Sequence, residues 1–80
     1  PNCRLQLMLS EDIEKAAGII SEKGYQSKRE NNYVTITMPE KDVSMLLASL
    51  AKQHIEYQEI SIDKPDLEDY FLQMTGGNNA

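Results

Sequence analysis

Tyr33-Val34-Thr35-Ile36-Thr37-Met38-Pro39-Glu40-Lys41-Asp42-Val43-Ser44-Met45-Leu46-Leu47-Ala48-Ser49-Leu50 changes its apolar rhythm halfway along. Val34, Ile36 and Met38 alternate with Tyr33, Thr35 and Thr37. That is the period-two pattern of a strand, built from β-branched residues that favour extended backbone. After Pro39 the repeat becomes Val43, Leu46, Leu47, Leu50, the i, i+3, i+4, i+7 spacing of an amphipathic helix. Pro39 is expected in the first helical turn, where its missing N–H is no loss, with Glu40 and Asp42 suited to the helix dipole.

Upstream, the same sentence is spelled once before. Cys3, Leu5, Leu7 and Leu9 alternate along Cys3–Leu9, and Met8 on the other parity suggests a central strand. Ser10 is the expected N-cap, followed by Glu11 and Asp12, and Ile13, Ala16, Ala17 and Ile20 form a helical stripe closed at Gly24. Between the two halves, Gln26–Glu30 is polar and carries Lys28 and Arg29, charges that keep an exposed sheet edge from pairing. Asn31-Asn32 fits a two-residue hairpin turn, because Asn tolerates positive φ. Downstream, Gln53-His54 ends the second helix. Ile55–Lys64 reads as a fourth strand with Ile60 and Ile62 on one face and a bulge or bend near Gln58.

Pro65 stops that strand. Asp66 can cap a third helix with Asp69 three residues on, and Leu67, Tyr70, Phe71 and Met74 form its stripe before Gly76-Gly77. The order β-α-β-β-α-β, with both helices on one face, is satisfied by the α+β ferredoxin-like split βαβ arrangement. Its antiparallel sheet has the order 4-1-3-2, and a C-terminal helix is added. The expected organisation is one domain over residues 1–75 and a flexible tail over 76–80.

With 80 residues the chain supports one modest core, burying about 60% of its unfolded surface. Apolar residues are 40% and charged residues 26%, a globular composition. Eight Lys+Arg against 13 Asp+Glu leave a net charge of −5, and only Lys28 and Arg29 are adjacent cations. Phosphate backbones and anionic lipid surfaces both ask for clustered cations, so nucleic acid is not an expected partner. RNA-recognition modules of similar fold stack bases on aromatics of their central strands, which here offer Tyr33 alone. Pro1 in place of Met is read as marking a domain excised from a longer protein, or one with trimmed ends.

No catalytic constellation assembles in the sequence. Cys3 is the one thiol and is read as a small buried hydrophobe, which also fits a reducing compartment. His54 lies some fifty positions away, just past a helix, and is read as a surface or capping residue. No C-x-x-C appears, and the neighbouring acids Glu11-Asp12 and Glu68-Asp69 point about 100° apart on a helix, suited to its dipole rather than to one ion. No P-loop appears either. The expectation is a segment with no catalytic, cofactor or metal residues of its own. Its candidate interface is Leu67, Tyr70, Phe71 and Met74. Most of that stripe is expected to fold over an end of the sheet, leaving Tyr70 and Met74 for a partner.

Ile60-Ser61-Ile62 followed by Pro65-Asp66-Leu67-Glu68-Asp69-Tyr70-Phe71-Leu72-Gln73-Met74-Thr75-Gly76 resembles the closing signature of a known family. That family is the C-terminal accessory domain of the ATP-binding subunit of bacterial ABC exporters. It typically ends in alternating isoleucines, proline, Ser or Thr, Leu-Glu-Asp, a hydrophobic residue, Phe-Leu and a Thr-Gly close. Asp66 stands where a hydroxyl is usual and Tyr70 where an aliphatic is usual. The likeness spans nearly the whole chain, but its specificity rests on about a dozen C-terminal positions.

The resemblance implies a non-catalytic domain of a parent ABC-type ATPase that drives export. ATP and Mg would then bind in an upstream domain. Partners would be the nucleotide-binding domain of the same chain or a second ATPase subunit, and, through the parent, a membrane permease. A homodimer is left open. The location implied is cytoplasmic, peripheral to the inner face of the cell membrane. A rival from another class is an ACT-like regulatory domain that senses a small molecule between paired copies. Leu9-Ser10-Glu11-Asp12 lacks the Gly that would let a ligand reach the backbone there.

Overall fold

A computed structural model describes residues 1–64. They form β1 (Asn2–Met8), α1 (Ile13–Glu22), β2 (Gln26–Glu30), β3 (Tyr33–Pro39), a 3₁₀ turn (Glu40–Asp42), α2 (Val43–Lys52) and β4 (Glu59–Asp63). The four strands make one antiparallel sheet in the order β2-β3-β1-β4, the expected order written from the other edge. The expected C-terminal helix and tail lie outside the described residues.

The sheet has one covered face. Leu5 stands opposite Ile36 and Leu7 opposite Val34, and all four are fully buried. Against them pack Ala16 and Ile20 of α1 and Val43, Leu46 and Leu50 of α2. The period-two and period-3.6 stripes therefore meet in a single layer of aliphatic side chains, which is what each stripe requires to leave water. Cys3 lies in this layer, 2% exposed, as a small hydrophobe. The other face is polar: Arg4, Gln6 and Thr37 are exposed and Thr35 is half-buried, with Met8 and Tyr33 half-buried at one end.

Both helices close in the same way. Gly24, φ 84°, follows α1, with its N–H on Ser21 O at 2.9 Å and the Tyr25 N–H on Ile20 O at 3.2 Å. His54, φ 61°, follows α2, with its N–H on Ala51 O and the Ile55 N–H on Leu50 O, both at 3.0 Å. This is the Schellman pairing, which satisfies carbonyls left open at a helix end. His54 thus has the capping role expected for it.

Three boundaries depart from the sequence reading. Ser10 does not cap α1. Its N–H is held by Gln58 Oε1 at 2.7 Å, and the residue before the helix is Asp12, φ 61°, with no side-chain cap bond. Pro39 does not open α2. It ends β3 with φ −62° and ψ 136°, and the 3₁₀ turn intervenes. The fourth strand begins at Glu59 and not at Ile55, because Ile55 is buried in the helix closure and the Gln58 N–H bonds Met8 O at 2.8 Å before the ladder starts. The bend expected near Gln58 is this switch.

Candidate interaction surface

The candidate interface of the sequence reading, Leu67, Tyr70, Phe71 and Met74, lies outside the described residues. What the structure adds is the surface that the chain reaches just before it. Ile60 stands opposite Leu7 and Ile62 opposite Leu5. Cross-strand partners share a face, so both isoleucines point to the helix-covered side. Leu5 and Leu7 are 0% exposed, yet Ile60 is 41% and Ile62 46% exposed one strand away. The two helices, of ten residues each, cover β1 and β3 and stop short of the outer flank of β4. Met45 on α2 and Tyr57 before β4 are also exposed.

The end of β4 is fixed from two sides. Arg4 pairs with Asp63 at 3.1 Å across the polar face, and Lys64 Nζ donates to Glu40 Oε1 at 3.1 Å. The second contact places the exit of β4 beside the 3₁₀ turn that leads into α2. On the opposite edge Arg29 approaches Glu14 of α1 at 3.8 Å. These pairs are exposed and hold geometry more than they add stability, about 0–1 kcal/mol each.

Chemistry-bearing groups do not converge among the described residues. His54 is exposed and Cys3 is buried in the core. Among the described residues no three His, Cys, Asp or Glu side chains approach closely enough to hold a metal ion. Depressions of the surface are open. One of ≈ 560 Å³ on the polar face is lined by Arg4, Gln26, Lys28, Thr35 and Thr37. Another lies past α2, between Ala51, His54 and Tyr57. No described helix is long and apolar enough to cross a membrane.

One polar contact was not legible in the sequence. Tyr25 is half-buried at the closure of α1 and donates its hydroxyl to Asp42 Oδ2 at 2.9 Å. Partial burial, then the hydrogen bond and charge of Asp42, push the Tyr25 phenol above its ordinary value. It ties the start of β2 to the start of α2. The partners are 17 residues apart, and neither sits in a pattern that pairs them.

Compared with protein-family models and with curated proteins, the sequence matches none.

Proposed function

We propose that this chain is a non-catalytic accessory domain of the ATP-binding subunit of an ABC exporter, working by protein–protein contact. The observation that carries the reading is the run from Ile60 to Gly76, whose alternating isoleucines, proline, Leu-Glu-Asp and Phe-Leu follow the ending of that family. Support comes from the element order and the 2-3-1-4 sheet of the described residues, which agree with a ferredoxin-like split βαβ arrangement. It comes also from the character of the surface: among the described residues, open polar depressions and an uncovered apolar flank offer contact area and no enclosed chamber for a small substrate.

In this reading the parent hydrolyses ATP with Mg upstream, and the domain adjusts the geometry or stability of the ATPase pair beside its permease at the cytoplasmic face. Tyr70 and Met74 are the residues offered to a neighbouring ATPase surface, since Tyr and Met are enriched at interfaces. The test is made on the longer protein. Its residues before Pro1 should contain a P-loop, and its Mg-dependent ATP hydrolysis should vanish when the P-loop lysine is replaced. A parent with no P-loop contradicts the reading. A thermal-shift screen of the 80-residue chain against amino acids should leave its melting temperature in place, whereas a rise of several degrees with one of them would mark an ACT-like sensor.

A further inference from the structure

Among the described residues, the flank of β4 is where the sheet's apolar layer runs past its helical cover. Ile62 and Ile60 continue the rows of Leu5 and Leu7, both fully buried, and lose nearly half of that protection. Sixteen residues of the chain follow Lys64, and the Lys64–Glu40 contact holds their starting point at this corner.

We propose that these residues are the occupant: the chain's own segment from Asp66 to Met74 returns along β4, setting Leu67 against Ile62 and Phe71 against Ile60. The spacing agrees from both sides. Two residues of a strand advance about 7 Å, and four residues of a helix advance about 6 Å, so Ile62–Ile60 and Leu67–Phe71 present matched apolar pairs. Asp63, Lys64, Pro65 and Asp66 separate Ile62 from Leu67, enough chain to reverse direction, with Pro65 stopping the strand. The neighbouring row of the stripe, Tyr70 and Met74, is also four residues apart and stays available to another molecule.

A second copy is the competing occupant, and charge argues against it. Two β4 edges meeting antiparallel about Ser61 would set Glu59 of each copy opposite Asp63 of the other. Like charges directly opposite on a ladder destabilise the pair. The same strand carries no counter-cation facing outward, since Arg4 lies on its inner side with Asp63.

Nuclear Overhauser spectroscopy of the full 80-residue chain, with labelled isoleucine and phenylalanine, tests the placement. Phe71 is the sole phenylalanine, so its ring signals are unambiguous. Cross-peaks from that ring to the Ile60 methyls are expected, together with low attenuation of the Ile60 and Ile62 methyls by a soluble paramagnetic agent. Phe71→Leu, chosen to keep an apolar side chain, should abolish the ring cross-peaks while the Leu5 and Leu7 signals stay in place. Isoleucine methyls strongly attenuated in the wild-type chain, with no ring contacts, overturn the proposal. So do contacts seen only between differently labelled molecules in a mixed sample, which would assign the flank to a second copy.

Discussion

Gly24 and His54 occupy equivalent positions in two equivalent helix closures, with φ of 84° and 61°. Only one of them is glycine. A side chain in the left-handed region costs about 1–2 kcal/mol, because Cβ crowds the carbonyl oxygen. His54→Gly should therefore raise stability by about 1 kcal/mol, measured as an upward shift of the urea midpoint with an unchanged slope. Gly24→Ala should lower it by a similar amount. A Cβ at Gly24 would meet nothing within 4 Å, so backbone conformation alone sets that cost. Tyr25 gives a second residue-scale prediction. Its phenol pKa is raised in the folded chain by burial and by Asp42. The unfolded chain then releases the proton first. This contribution is full below pH ~10, the ordinary tyrosine value, and is lost as pH climbs through the folded pKa. Melting temperature should fall across that alkaline range in the wild type and fall less in Tyr25→Phe.

At the scale of elements, the strands and helices were legible because each carries an unbroken period. Val34, Ile36 and Met38 could belong only to a strand with one buried face, and Val43, Leu46 and Leu50 only to a helix stripe. Boundaries were less legible because residues there satisfy two rules at once. Ile55 is a β-branched residue at the expected start of a strand but is needed to close α2, and Ser10 has the oxygen of a cap but lends its N–H to Gln58. Local propensity ranks such choices poorly, and for Ser10 the deciding partner, Gln58, is also distant in sequence. For the interface, the sequence named the stripe Leu67, Tyr70, Phe71 and Met74 and could not show what it would meet. We propose that the exposed isoleucines of β4, Ile60 and Ile62, are that surface. β1 is central, and Leu7 is buried between its two neighbours. Leu7→Ala should cost about 2–5 kcal/mol by equilibrium unfolding. That is most of the stability of so small a domain.

For the whole molecule, the sheet divides the protein into a covered apolar side and a polar side, and neither holds an enclosed reaction site among the described residues. A net charge of −5 is unsuited to phosphate backbones and anionic lipid surfaces, which attract clustered cations. The claim most exposed to test is that this chain acts by binding the ATPase core of its parent through Tyr70 and Met74. Calorimetric titration of the 80-residue chain into the separately purified core measures this directly. Binding is predicted, weakened about tenfold by Tyr70→Ala, the loss typical of truncating an interfacial aromatic, while the melting temperature of the variant stays near that of the wild type. An absence of binding by the folded wild-type chain, or equal binding by the variant, would contradict it.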